Sequence, residues 1–271
     1  EYLFLLDKLG LVNIEEQTDG LVFSTDSIDE LNAHFVDYLN FGGYPEVVLS
    51  EKIRTDPGRY IKSDIIDKVL LRDLPTLYGV QDIQELNYLF TSLAFNTAGE
   101  VSLEDLSTGS GVAKNTIKKY IEYLEAAFLL RTVHRVDQSA KRFKRANFFK
   151  IYLTNPSIRA ALFAPVDADD AAMGSLVETA IFSQWFHQDM PLYYARWRRG
   201  EVDIVALKEN QKAAWAVEAK WSDRYFDHCD ELKSLVGFCQ KQKLTSATVT
   251  TRTLSGTKLI RDLALGFEPA S

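Results

Sequence analysis

The stretch GEVDIVALKENQKAAWAVEAK, Gly200–Lys220, decides the fold. Two short apolar runs flank a polar turn containing Lys and Asn, which is the pattern of a β-hairpin. Side chains two apart on a strand share a face. Glu201 and Asp203 are therefore expected on one side of the first strand, with Val202 and Ile204 on the other. On the second strand Ala216, Glu218 and Lys220 share a face, against Trp215, Val217 and Ala219. The hairpin is thus expected to gather Asp203, Glu218 and Lys220 at one small site. Two carboxylates and an ammonium are how a protein holds a divalent cation and a water beside a phosphodiester. The carboxylates supply hard oxygen ligands, and the ammonium orients the water or offsets phosphate charge.

Upstream, Gly174–Met190 carries Leu176, Ala180, Ile181 and Phe182 as an apolar helical stripe with Glu178 inside it, and Leu192–Trp197 reads as a strand. Downstream, Tyr225–Gln242 has helical periodicity and Ser246–Thr251 reads as a further strand. An acid followed after a short gap by Glu-x-Lys, preceded by a helix with another Glu, resembles the PD-(D/E)XK nuclease core. Helix, three strands, helix, strand is the element order of that fold. The resemblance implies Glu178, Asp203, Glu218 and Lys220 as catalytic residues. Asp203 and Glu218 would hold Mg2+ or Mn2+, Glu178 would assist from its helix, and Lys220 would position water. The competing reading of the same residues is a solvated hairpin with an ordinary Glu–Lys ion pair.

From the start of the chain, Glu1–Gly10 reads as a short amphipathic helix. Ile28–Asn40 reads as a helix with Ile28, Leu31, Phe35 and Leu39 on one face and Asp26-Ser27 as its cap. The glycines of FGGYPEVV (Phe41–Val48) free the backbone and Pro45 stiffens the exit, so a tight interhelix turn with aromatic plugs is expected. A long helix is expected over Tyr60–Asp73, ending at Arg72-Asp73-Leu74-Pro75.

GGYPEVV, then LLRDLP, then the later Glu-x-Lys resemble, over nearly the whole chain, a large family of prokaryotic AAA-type ATPases. Those proteins have an N-terminal P-loop core and end in a conserved domain of unknown function with a nuclease-like fold. Glu1-Tyr2-Leu3 looks like the remnant of the segment that leaves the ATPase core, and a first residue other than Met fits a trimmed chain. No GxxxxGK[ST] occurs here, and Ser255-Gly256-Thr257-Lys258 lacks the first glycine and the strand–loop–helix setting. ATP is accordingly expected only through a domain absent from this chain.

Asp82–Val136 reads as a helix-turn-helix with a wing. Its parts are a helix over Ile83–Phe95, a short helix Leu103–Leu106 capped by Ser102, a turn at Thr108–Gly111, a helix Lys114–Ala127, and a strand or wing at Phe128–Val136. Ile117, Ile121, Leu124 and Phe128 are expected to face the core. Lys114, Asn115, Lys118 and Lys119 point outward to meet phosphates or base edges, or stand merely solvated on a protein-contact module.

Arg135–Lys150, RVDQSAKRFKRANFFK, has six basic residues against a single Asp. Lys141, Arg142, Lys144 and Arg145 are candidates for phosphate contact, and Phe143, Phe148 and Phe149 are interleaved as core or stacking residues. In the ATPase family resembled here a basic stretch precedes a Lys-x-Tyr strand, matched by Lys150-Ile151-Tyr152. An Asp commonly follows that Tyr, where this chain has Asn155, so no role carries over to it. Arg196, Arg198 and Arg199 add positive charge beside the hairpin, and Val166–Ala172 is an acidic loop expected to be flexible.

The chain has 271 residues, 46% hydrophobic and 25% charged, the composition of a globular protein long enough for more than one domain. Its net charge of −7 is concentrated early. Residues 1–80 hold 15 acidic and 7 basic side chains, leaving 23 acidic and 24 basic in residues 81–271. Cys229 and Cys239 lack metal-ligand spacing and no disulfide framework is expected, so a reducing, cytoplasmic setting is the default. No apolar run approaches the roughly 20 residues of a membrane span, and no membrane partner is expected. His34, His134, His187 and His228 are scattered and build no triad or zinc site.

The expectation is an α+β, multidomain chain. Residues 1–80 form a helical segment resembling an ATPase lid or linker, 81–136 a winged helix-turn-helix, and 137–271 an α/β restriction-endonuclease-like domain. Three functions compete: a Mg-dependent deoxyribonuclease module fed by the winged helix; a non-cutting scaffold that binds DNA or a protein; and a regulator of the ATPase core in the parent chain. DNA is the expected partner, and a homo-oligomer is open.

Overall fold

Gly200–Lys220 folds as a hairpin in the computed structural model, which describes residues 1–17, 20–142, 147–186 and 190–271. The chain opens with helix α1 (Tyr2–Leu5) and a ribbon of β1 (Asn13–Gln17) and β2 (Gly20–Ser24) that the periodicity does not announce. Helix α2 (Ile28–Asp37) starts after Ser27, which stands at the N-cap without making a side-chain cap bond. A widened turn at Tyr38–Gly42 leads to α3 (Pro45–Leu49), α4 (Glu51–Arg54) and α5 (Pro57–Tyr60). The long helix expected over Tyr60–Asp73 is a helical run with π-type turns at Ile61–Ile66 and Val69–Asp73. It passes into α6 (Leu74–Tyr78), which stops at Gly79 with a left-handed φ of 65°.

Helix α7 (Ile83–Phe95) is capped by the Asp82 carboxylate, and after β3 (Glu100–Ser102) helix α8 (Leu103–Ser110) is capped by the Ser102 hydroxyl. Helix α8 absorbs the expected turn at Thr108–Ser110. The break falls on Gly111, whose φ of 74° closes the helix, before α9 (Lys114–Ala126). Phe128 departs from expectation. Its φ of 56° swings the ring outward, 69% exposed and within 5.5 Å of the Arg131 guanidinium, while buried Leu129 and Leu130 take the core positions.

The remaining elements are β4 (Leu130–Val136), β5 (Phe148–Leu153), α10 (Ser157–Leu162), α11 (Met173–Ser183), β6 (Leu192–Trp197), β7 (Gly200–Leu207), β8 (Ala213–Glu218), α12 (Arg224–Asp227), α13 (Lys233–Gln242), β9 (Ser246–Thr251), β10 (Gly256–Ile260) and β11 (Leu263–Pro269). The helix expected over Tyr225–Gln242 is split into α12, a 3-10 turn at Cys229–Glu231, and α13.

Among the described residues one mixed sheet of nine strands runs β10-β11-β9-β8-β7-β6-β4-β5-β3. It joins strands on both sides of residue 136. The segment expected as a strand or wing forms strand β4, which is interior, paired with β5 on one edge and β6 on the other. Val202, Val205, Ala216, Leu235 and Phe238 pack in an apolar cluster to which α13 contributes, and Tyr152, Phe182, Tyr194, Ile204 and Val217 pack in a second to which α11 contributes. A third core holds Ile61, Leu70, Leu86, Phe90, Ile117 and Leu124 from the helical half together with Phe149, Ile151 and Leu153 of β5. Each Val, Leu, Ile or Phe among these contributes about 1.5–3 kcal/mol by leaving water.

Two loops are held by cross-chain bonds. The Val166–Ala172 loop is anchored rather than loose: Asn40 exchanges hydrogen bonds with the Val166 backbone, and the Trp221 indole donates to the Ala168 carbonyl at 2.9 Å. The Gly42-Gly43 turn is clamped by Asn155, which donates to the Gly43 carbonyl at 2.7 Å and accepts from the Ser157 amide at 3.0 Å. A Cβ on Gly43 would stand 1.9 Å from Asn155 Oδ1. Gly43→Ala must therefore push Asn155 out of both bonds, and is expected to destabilise the protein by about 1–3 kcal/mol. An unchanged urea midpoint for Gly43→Ala would show that the clamp is not needed.

Candidate active site

The site is built at the open end of the β7–β8 hairpin, beside a bulge in the β6–β7 pairing. Ala195 pairs with Val202 and Tyr193 with Val205, so Asp203 and Ile204 together oppose Tyr194, a β-bulge on β7. The bulge breaks the expected alternation: Val202 and Ile204 fall into different apolar clusters instead of sharing a face. Continuing the β7–β8 pairing one step beyond Ile204–Val217 sets Asp203 opposite Glu218. Asp203, 8% exposed, accepts from the Ala219 amide at 3.0 Å and from Lys220 Nζ at 3.4 Å. Lys220 Nζ also donates to Glu218 Oε1 at 2.9 Å. The chain beyond β8 is fixed by Thr250 of β9, whose hydroxyl accepts from the Lys220 amide and donates to its carbonyl.

Helix α11 brings Glu178 to the same place, and β5 brings two residues the sequence reading did not assign to the site. Lys150 Nζ lies 2.9 Å from Glu178 Oε1, 2.7 Å from Glu201 Oε1 and 3.8 Å from Asp203 Oδ1, with its side chain only 4% exposed. The Tyr152 hydroxyl donates to the same Glu178 oxygen at 2.6 Å. The signal was present but faint: Lys150 and Tyr152 are the polar-tipped residues, two apart and so on one face, of the otherwise apolar strand FFKIYL.

Three buried carboxylates share two ammonium groups, and their protonation reflects it. Burial, followed by the charge of Asp203, raises the Glu178 carboxyl to about 7, with Lys150 and Tyr152 pulling the other way. Burial and then Asp203 likewise raise Glu218 to about 8, against the opposing pull of Lys220. Burial works against the Lys150 and Lys220 ammoniums, yet the carboxylates around each more than offset it and hold both firmly charged. The cluster therefore carries an excess of negative charge once all its acids ionise. Glu218 Oε2 is buried and has no hydrogen-bond partner among the described residues.

A second ring surrounds this cluster. Arg196 bonds Glu201 at 2.8 Å and lies 3.5 Å from Glu100, which also accepts from the Tyr194 hydroxyl and sits 3.8 Å from Arg135. Arg198 and Arg199 are exposed in the β6–β7 turn. A groove of about 820 Å³ lies elsewhere, lined by Leu3, Phe23, Ile28, Phe267 and Pro269, and none of the clustered residues lines it. Polar groups converge at the carboxylates instead.

The four residues Glu178, Asp203, Glu218 and Lys220 are thus brought together. The nucleic-acid candidates among the described residues are not part of that cluster. Lys114, Asn115, Lys118 and Lys119 are exposed on α9, where Lys114 pairs with Glu104 and Lys118 stands 3.9 Å from Glu122. Lys141 and Arg142 are exposed, Arg142 lying 4.8 Å from the centre of the Tyr193 ring. Lys144, Arg145, Phe143 and His187 lie outside the described residues. Among the described residues no three His, Cys, Asp or Glu side chains stand ready as a metal shell. What suits a cation is the donor set: Asp203 and Glu218 offer hard carboxylate oxygens, one of them unclaimed.

The chain belongs to the family described as Domain of unknown function (DUF8612), which matches residues 32–170. That segment includes Lys150 and Tyr152 and ends before Glu178. The chain is similar to an uncharacterized protein of Methanocaldococcus jannaschii, 22% identical over 201 residues, 70% of this chain and 43% of that protein. It is also similar to an uncharacterized protein of Haemophilus influenzae, 25% identical over 182 residues, 65% of this chain and 44% of that protein. The chain therefore spans less than half the length of these curated relatives. No solved structure matches it significantly. No helix among the described residues is long and apolar enough to cross a membrane.

Proposed function

We propose that the chain is a nuclease-like module that hydrolyses phosphodiester bonds of DNA with Mg2+ or Mn2+. The observation that carries this reading is the meeting of Asp203, Glu218 and Lys220 at the end of the β7–β8 hairpin, with Glu178 beside them and one Glu218 oxygen unclaimed. The element order α11, β6, β7, β8, α13, β9 supports a nuclease-like core. Asp203 and Glu218 would hold the cation, which when bound supplies Lewis-acid polarisation of the phosphate and a more acidic water. Lys220, only partly buried, would meet the attacking water or the phosphate. Glu178, whose carboxyl titrates near neutrality, would take a proton there. Arg196, Arg198 and Arg199 would meet backbone phosphates beside the site.

The test is plasmid nicking at low salt with manganese. Wild type is expected to nick, and Lys220→Ala to slow nicking about 100-fold while keeping manganese uptake. Nicking unaffected by Lys220→Ala would remove that residue from the chemistry. A second reading, a non-cutting scaffold, is favoured by the engagement of both Lys150 and Lys220 with carboxylates. It prevails if wild type neither nicks nor binds manganese.

Helices α8 and α9 are proposed to deliver DNA as a helix-turn-helix, through Lys114, Lys118 and Lys119. Replacing all three with Glu is expected to weaken DNA binding and to reduce the slope of log affinity against log salt by about 0.9 per lost phosphate contact. An unchanged slope would make this unit a protein-contact element. In this reading ATP acts only through an AAA-type core outside this chain, with which the module would work in a longer protein.

A further inference from the structure

Lys150 is the buried charge that this reading of the site leaves without a task. We propose that its ammonium is a built-in substitute for a metal ion between Glu178 and Asp203, so that the site takes one divalent cation, at Asp203 and Glu218, and never two. The inference rests on the proposed cation site and fixes its stoichiometry and the role of Glu178.

The geometry carries the argument. Sites with two metals hold them about 3.5–4 Å apart, with a carboxylate shared between them. Asp203 is so placed here: its Oδ2 faces Lys220 and its Oδ1 faces Lys150. On the Lys150 side the space is filled. The ammonium reaches Glu178 at 2.9 Å and Glu201 at 2.7 Å, and the Tyr152 hydroxyl saturates the same Glu178 oxygen. The Tyr194 ring lies 5.4 Å from the ammonium, a distance at which its face favours a cation. Lys150 cannot leave cheaply. Its backbone is paired on both edges, with Val133 of β4 and Glu100 of β3, and its side chain is 4% exposed. A metal entering there would strand a charged ammonium in the interior.

The Lys220 side is more open, although the Tyr225 ring lies 5.6 Å from its ammonium. That side chain is 24% exposed, lies two residues beyond β8, and leaves Glu218 Oε2 without a partner among the described residues. It can swing into water and admit an ion. Glu178 is then held by Lys150 and Tyr152 rather than by metal, and keeps the proton-taking role proposed for it.

The experiment is manganese titration of the whole chain at neutral pH, followed by calorimetry and by the electron paramagnetic resonance of free and bound ion. Wild type is expected to take up about one ion per chain, and Lys150→Met about two, with the pair visible as exchange-coupled manganese. Glu178→Gln is expected to keep its single ion. Two ions in wild type, or one in a folded Lys150→Met, overturns the inference while leaving the proposed function standing. Should Lys150→Met fail to fold, Glu178→Gln decides: retained uptake supports the proposal, and loss of the ion makes Glu178 a ligand and overturns it. No uptake by wild type sinks the proposed function, and this inference with it.

Discussion

Glu218→Gln is expected to abolish manganese uptake and nicking, and at the same time to stabilise the metal-free protein above neutral pH. The two effects have one cause. Glu218 is buried with one oxygen unpartnered, and its carboxyl is raised to about 8 by burial and the Asp203 charge. Metal ligands must be deprotonated, so a bound cation supplies the compensation that this carboxylate otherwise lacks. Glutamine has the shape of the protonated acid and can never supply the charge. Loss of one of two carboxylate ligands should weaken binding by more than the roughly 10–100-fold seen for outer-shell changes. The cation affinity of wild type should rise with pH through about 8, as Glu218 gives up its proton. A structural Glu218–Lys220 ion pair predicts the reverse stability effect, since its loss leaves Lys220 with Asp203 alone at 3.4 Å. Calorimetric titration and urea melts of the same preparation separate the cases. Nicking that persists in Glu218→Gln would mark a contaminant, and destabilisation at high pH would favour the ion-pair reading.

What could be read from the chain depended on range. The β7–β8 hairpin was legible because its apolar alternation and turn lie within about twenty residues. It delivered Asp203, Glu218 and Lys220 to one place. The bulge at Asp203–Ile204 was not legible, because strict alternation assumes that no extra residue is inserted. Lys150 and Tyr152 were read as part of a basic stretch and its strand, since only the long-range order β7-β6-β4-β5 brings them to the hairpin. The β10–β11 hairpin escaped notice because its two-residue turn is Arg261-Asp262, with Arg261 at a φ of 57°. Gly or Asn is the usual signal at such a position. Helical spacing counts Phe128 into the core, yet the helix ends two residues before it.

Metal-free protein should become less stable as the pH rises from about 5.5 to about 8.5, and magnesium should return much of the loss at the upper end. Glu178 and Glu218 start from an ordinary value of 4.5 and stand at about 7 and about 8 in the fold. A raised folded value means that the native state holds its protons more tightly than the unfolded chain. Between 4.5 and about 8 the native state thus binds more protons, and stability falls with pH across that window. Below it both states are protonated and no penalty applies; above it the penalty is complete. At about 1.4 kcal/mol per pH unit, the two carboxyls together cost a few kcal/mol over this window, a large share of a typical domain's stability. A cation bound at a hundred times its dissociation constant restores about 2.7 kcal/mol. Urea unfolding at both pH values, with chelator or with magnesium, reads each quantity. Glu218→Gln should flatten the profile and lose the magnesium response together. Stability that rises across this range in chelator would mean that Lys150 and Lys220 fully neutralise the cluster, and the site would then have no excess charge with which to draw in a cation.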